Sequence, residues 1–290
     1  MNYKDRKGTL IENETGQDRF LRRLYTTLAG RMFVRLLITK PVTVICGAFL
    51  RTRLSAAFIK KFIRKNSIDM RIYEDRKYSS YNDFFTRRIK PDARRIDERP
   101  DILISPCDAK ASAFLIDTET VFSVKGTEYT LASILQNEEL AHAYKGGVCV
   151  LLRLTVDDYH RYCYVDSGTK GENIAIKGVL HTVNPAAAEC APIYKENSRE
   201  YTVIETEHFG RMIHMEVGAL IVGKIVNYDR SACTITKGAE KGRFEFGGST
   251  VILFFEKNRV KISPDILANT GDDIETIVKM GEKIGISISE

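Results

Sequence analysis

The chain has 290 residues, 43% of them apolar and 28% charged, with only 20 Gly and 7 Pro. That balance excludes a disordered or fibrous chain, and a core of this size needs no staples to fold. The six cysteines form no Cys-x-x-Cys pair and no His sits at ligand spacing from them, so no metal site is expected and buried, reduced thiols in a cytosolic compartment fit.

The first residues, MNYKDRKGTLIENETG, are polar and lack the apolar core of a secretory signal, so export is not expected. The net charge of +6 is unevenly spread, because no Asp or Glu occurs between Asp18 and Asp69. That interval holds Arg19, Arg22, Arg23, Arg31, Arg35, Lys40, Arg51, Arg53, Lys60, Lys61, Arg64 and Lys65 among Leu, Phe, Ile and Val. The apolar spacing (Leu21, Leu24, Tyr25, Leu28, then Phe33, Leu36, Leu37) predicts two or three helices over 20–63, broken at Pro41. The run Val42 to Leu50 is far shorter than the ~20 residues of a bilayer span, so this basic amphipathic region is expected to lie on an anionic membrane rather than cross it. A helical layer on the core with its Lys and Arg solvated is the competing reading. Nucleic acid is not expected, since the segment is apolar and the rest of the chain nearly balanced in charge.

A polar connector, Lys90 to Pro100, separates residues 1–80 with the motif that follows them from a change of pattern. Short β-rich runs then dominate: 148–154, 174–179, 201–206, 212–217, 220–226 and 250–255, punctuated by Gly and Asn. No strand–helix alternation is visible, which argues against a doubly wound parallel sheet. The tail around Val278-Lys279-Met280-Gly281-Glu282-Lys283-Ile284 alternates like strand and turn, in the manner of biotinyl-type barrel domains. The expected architecture is α+β: an N-terminal helical, membrane-facing layer over residues 1–80, on a mostly antiparallel β body of barrel or sandwich type over 81–290.

Three polar groups could carry chemistry: Asp108 in Ser105-Pro106-Cys107-Asp108, His160 in Asp157-Asp158-Tyr159-His160, and Ser249 in Gly247-Gly248-Ser249-Thr250. A base within reach would take the serine proton and an Asp would fix the imidazole tautomer. Each is also an ordinary turn residue, and no Gly-x-Ser-x-Gly elbow precedes a helix at Ser249, which weakens a conventional serine hydrolase. That hydrolase, using Asp108, His160 and Ser249, and a non-enzymatic basic membrane-binding protein are the alternatives.

The order of motifs resembles the phosphatidylserine decarboxylase family from about Tyr81 to the C-terminus. The matching stretches are Tyr81-Asn82-Asp83-Phe84-Phe85-Thr86-Arg87, Ser105-Pro106-Cys107-Asp108, Lys125-Gly126 with Tyr129 and Leu131, and Arg153-Leu154 with Asp158-Tyr159-His160-Arg161. They continue with Val183-Asn184-Pro185, Val217-Gly218-Ala219 with Val222-Gly223-Lys224-Ile225, Lys237-Gly238-Ala239-Glu240-Lys241-Gly242, and Gly248-Ser249-Thr250-Val251. Single matches of this kind are cheap, but a collinear series is specific.

The resemblance implies cleavage between Gly248 and Ser249 into chains 1–248 and 249–290 that stay associated, with Ser249 becoming a covalent pyruvoyl cofactor. It implies decarboxylation of phosphatidylserine to phosphatidylethanolamine at the cytoplasmic face of the cell membrane, peripherally bound. His160 would be the base, oriented by Asp108 or Asp158, with Thr250 in support. Titration near neutrality would suit it. Three departures stand out: Ala109 for the usual Gly, the Gly247-Gly248 form of the cleavage site, and Cys163 where many members carry a second His. The last implies that His160 serves both maturation and turnover. Oligomeric state is left open, a homodimer included.

Overall fold

The structure is a computed structural model that describes residues 2–12, 23–24, 26–27, 30, 32–34, 40–116, 122–124, 127–179, 193–219, 224–245 and 249–288. Gly247, Gly248, Val183-Asn184-Pro185, Val222-Gly223, Lys125-Gly126, Arg31, Arg35 and most of the helix-like spacing over 20–37 lie outside them.

Strands are numbered in chain order. β1 (Asn2–Lys4) and β2 (Leu10–Glu12) form a short hairpin, and β3 (Ile102–Ile104), β4 (Ala109–Leu115), β5 (Phe122–Val124) and β6 (Thr127–Tyr129) follow the connector. Next come β7 (Val148–Leu154), β8 (Arg161–Cys163), β9 (Gly168–Lys170), β10 (Ile174–Ile176), β11 (Arg199–Thr206), β12 (Arg211–Gly218) and β13 (Ile225–Asn227). The last are β14 (Cys233–Ile235), β15 (Glu240–Phe244), β16 (Ser249–Phe255), β17 (Val260–Ile262), β18 (Glu275–Val278) and β19 (Lys283–Ser287).

One large sheet runs β14-β9-β11-β12-β16-β7-β4-β18-β1-β2, with β10 beside β11. Every pairing in it is antiparallel except β1 with β18. Among the described residues the sheet is open, so the expected barrel does not close; β14 and β2 end it. What the composition led to, a largely antiparallel β body, is present, but it is a covered sheet.

The cover explains why its middle strands are buried along their whole length rather than alternately. On one face Ala109, Leu152, Val251 and Leu253 pack against Ile102 to Ile104 of β3, Tyr162 and Cys163 of β8, Phe244 of β15 and Ile262 of β17. On the other, Cys149, Leu151, Ile213, Ile252 and Phe254 pack under Leu131, Ile134 and Leu135, Tyr144, and Ile193 and Tyr194. Those residues lie on or beside three short helices absent from the β reading, Leu131–Leu135, Glu138–Ala143 and Ile193–Glu196. The first two are opened by Thr130 and Asn137, whose side chains accept from Ser133 N and Leu140 N.

Beyond the β1–β2 hairpin the N-terminal region contains α1 (Lys40–Leu50), a 3-10 turn (Arg53–Phe58) and α2 (Ile59–Lys65). Pro41 starts α1 rather than ending it, since a first-turn proline lacks only an N–H that would be unpaired anyway. α2 shares a small core with α3 (Tyr81–Phe85): Ile59, Phe62, Tyr81, Phe84 and Phe85 pack together, with Phe62 edge-on to Tyr81 at 5.3 Å. The 80/81 boundary read from the sequence therefore falls inside a packed cluster, and β1 places residues 2–4 in the main sheet.

Candidate active site

Ser249 opens β16, the strand held between β12 and β7, where it faces Gly218 on one side and Leu154 on the other. Alternation puts Ser249 on the face of Leu154, Ala109 and Tyr162, and puts Thr250 on the opposite face with Arg153 across the ladder. Both residues are fully buried, and the Ser249 hydroxyl lacks a hydrogen-bond partner among the described residues. A buried, unpaired hydroxyl costs on the order of 1–3 kcal/mol, so its presence calls for an explanation. Gly248, the other half of the cleavage motif, is outside the described residues.

His160 lies between a tight turn and β8. The turn is closed by Asp158, whose carboxylate accepts from Thr155 N and Thr155 Oγ (2.8 Å each) and from Lys110 Nζ of β4 at 2.6 Å. His160 Nδ1 is 3.0 Å from the main-chain oxygen of Asp158. A carbonyl only accepts, so Nδ1 carries the proton and Nε2 the lone pair. Nε2 is buried and without a partner among the described residues. The ring leans on Phe85, centroids 4.0 Å apart. Burial, and after it the Arg87 cation, bring the pKa of His160 down to about 3. Titration near neutrality, expected from the residue type, is thus overridden by desolvation: the imidazole stays neutral throughout the physiological range.

The Asp108 carboxylate is 2% exposed and fully engaged elsewhere. Arg94 grips it with Nε (2.9 Å) and Nη2 (2.5 Å), Met280 N donates at 2.9 Å, and Lys279 Nζ lies 3.4 Å away. The structure therefore gives the His160 ring a main-chain oxygen, and neither the Asp108 nor the Asp158 side chain is its hydrogen-bond partner. Cys163 ends β8 in the same core, its N–H donating to Pro106 O at 2.9 Å. Burial pushes its thiol up to about 12, so it stays protonated.

Several pairings of this neighbourhood had no sequence signal. Arg94 sits in the connector, where an Arg beside Asp reads as solvated linker, and the Lys110–Asp158 pair spans 48 positions. On the Ser249 face of β12, Glu216 is buried against Lys241 Nζ at 2.6 Å, and Asn227 links it to Glu200. Burial raises the Glu216 pKa against the pull of Lys241. Gly242 beside it needs its bare Cα, because a Cβ would fall 2.4 Å from Val226 O and 2.8 Å from Tyr162 Oη.

A buried serine at the head of a central strand and a buried, neutral imidazole whose Nε2 has no partner among the described residues are the groups the structure offers for chemistry. The family model for phosphatidylserine decarboxylase matches residues 81–286. The chain is 44% identical over 273 residues to phosphatidylserine decarboxylase proenzyme 2 of Clostridium acetobutylicum, covering 94% of this chain and 92% of that one. It is 42% identical over 285 residues to a phosphatidylserine decarboxylase proenzyme of Ruminiclostridium cellulolyticum (97% and 95% covered), and 39% over 282 residues to one of Clostridium botulinum (96% and 95%). The chain belongs to the phosphatidylserine decarboxylase family.

Proposed function

We propose that the chain is a proenzyme that cuts itself between Gly248 and Ser249 and then decarboxylates phosphatidylserine to phosphatidylethanolamine and carbon dioxide. The observation that carries this reading is the pair of unpaired, buried atoms, Ser249 Oγ and His160 Nε2, within the stretch that matches the family. His160 Nε2 takes the hydroxyl proton, and Ser249 Oγ attacks the Gly248 carbonyl carbon, so that the acyl group passes from nitrogen to oxygen. An imidazolium in this dry site is a strong acid, which suits return of the proton to the departing amide nitrogen. Elimination of the ester then leaves a carboxylate on Gly248 and a dehydroalanine, which takes up water and releases ammonia.

The buried, unpaired Ser249 fits a residue awaiting that conversion. The resulting pyruvoyl group would supply an electron sink for loss of the substrate carboxylate. β12 and β7, both from the longer fragment, flank β16 along its whole length and would keep the 249–290 fragment in place. A hydrolase that leaves Ser249 in place must instead bring substrate to a hydroxyl with 0% exposure.

The membrane reading rests on the N-terminal region. Val44 and Ile45 (68% each), Leu54 (76%), Phe49 and Phe58 are exposed, beside Arg51, Arg53, Lys60, Lys61 and Arg64. Among the described residues no helix is long and apolar enough to cross a membrane. Such a surface suits peripheral contact with anionic lipid, the medium that presents a serine phospholipid.

Intact mass after borohydride reduction tests the main reading. Two fragments are expected, the shorter one starting at a reducible carbonyl, and Ser249→Ala should remain one chain. A wild-type chain that stays whole with a free Ser249 would overturn it.

A further inference from the structure

Arg87 is fully buried, yet it forms no ion pair with any carboxylate among the described residues. Its donors go to neutral oxygens: Tyr73 Oη (3.1 Å), Asp157 O (3.2 Å), Asp158 O (3.3 Å) and, at the limit, Phe84 O (3.5 Å). Its Nε has no partner there. The faces of Tyr73 and Phe84, 4.3 and 4.8 Å from the guanidinium carbon, offset only part of the desolvation. A buried cation with no carboxylate partner is costly to keep, so packing alone does not account for it.

The oxygen Arg87 holds is the one that receives His160 Nδ1–H: Asp158 O accepts from both, at 3.3 and 3.0 Å. The same short segment also supplies Phe85, against which the imidazole lies. We propose that Arg87 is a positioning residue for His160, its Nη2 amino group holding the Asp157 and Asp158 carbonyls so that the imidazole is locked with its proton on Nδ1 and its lone pair on Nε2. This rests on His160 being the base of self-cleavage.

The charges around the ring support a second, electrostatic part of the same role. Lys110 approaches from β4, but the Asp158 carboxylate meets it at 2.6 Å, and Asp157 lies 4.0 Å from the same ammonium. On the β15 side, Phe244 N binds the His160 carbonyl, and the next residue, Glu245, is paired with Arg51 and Arg243. Among the described residues Arg87 has no carboxylate of its own, and it disfavours the imidazolium. Lysine at this position would keep the charge but lose the planar head that stacks on Tyr73 and Phe84 and sets Nη2 against the two carbonyls; glutamine would lose the charge.

The test is the cleavage time course of the full chain in cell-free translation between about pH 5 and 9, the range in which an unperturbed imidazole changes charge. Wild type should show little loss of rate on the acid side. Arg87→Lys should be about tenfold or more slower with the same flat acid side, since a misplaced base forfeits part of its contribution. Arg87→Gln should be slower and lose rate as pH falls, at a higher pH than wild type. Wild-type rates and profiles in both variants, or equal slowing with no difference in profile, would overturn the proposal. Because a buried Arg variant can fail to fold, the tautomer is also read directly by nitrogen NMR of His-labelled Ser249→Ala chain. A His160 proton on Nδ1 is expected, and one on Nε2 would overturn the proposal. Failure of wild type to cleave at all would strike the reading of Ser249 instead, and leaves the tautomer result to decide this one.

Discussion

The middle of the main sheet and the N-terminal helices use apolar residues in opposite ways. β7, β12 and β16 bury every member of runs such as Val251 to Phe255, because both faces of the sheet are covered. α1 and the turn after it leave Val44, Ile45, Phe49, Leu54 and Phe58 exposed, while Leu50, Ala56, Ile59, Phe62 and Ile63 pack with α3. Burial in the first region and in the layer packed on it leaves a neutral imidazole, a protonated thiol and an unhydrated serine. Exposure in the second creates a surface, whose value depends on what it meets. Equal hydrophobicity therefore carries unequal information until the partner face is known.

The largest effect that would break this contrast is at His160, the proposed base. His160→Ala should leave one uncleaved chain by mass spectrometry, whereas its cleavage at the wild-type rate would remove the chemical meaning of the buried face. Next is the strand itself: Leu253→Ala in β16 should lower stability by about 2–5 kcal/mol in chemical denaturation, the cost of a core cavity. Leu54→Ala, in the exposed set, should stay within about 0.5 kcal/mol.

Acid stability sharpens the same comparison. His160 and His214 are buried, and burial holds both pKa values below the ordinary value of 6.5, His160 at about 3. Below 6.5 the unfolded chain takes up protons that the folded chain refuses, so stability falls as pH drops toward the folded value. In the uncleaved Ser249→Ala background, denaturant midpoints should decline on acidification, and His160→Gln should flatten part of that slope. An unchanged slope would mean that this ring is already charged or solvated.

Replacing Val44, Ile45 and Leu54 together by Ser should weaken binding to anionic vesicles while leaving the thermal midpoint nearly unchanged. Added salt should weaken wild-type binding, with each Lys or Arg near the surface contributing on the order of 1 kcal/mol. Equal binding to neutral and anionic vesicles at every salt concentration would return the region to a solvated helical layer. The smallest effect is expected at Cys163: a thiol held protonated offers no base, so Cys163→Ala should cleave almost as wild type does.

Much of this was legible without coordinates. The β-rich runs at 148–154 and 250–255 become β7 and β16 almost residue for residue, since a fully buried strand needs a continuous apolar run and little else can stand there. The spacing of His160 and Ser249 within collinear motifs marked both as candidates. The short helices at 131–135 and 138–143 were not legible, because five or six residues give too little periodicity; they are secured by caps and by packing on Tyr144 and Ile252.

Sequence alone determined the residue types available for chemistry, the basic character of residues 19–68, and the β character of the C-terminal body. Those follow from composition and local pattern, which need no partner. Tertiary structure alone decided that the Asp108 carboxylate binds Arg94, that the main-chain oxygen of Asp158 meets His160, and that Lys110 and Arg87 converge on the same turn. It also decided the protonation of His160, because desolvation and the Arg87 cation are properties of a folded environment, contributed by segments that chain order keeps dozens of residues apart.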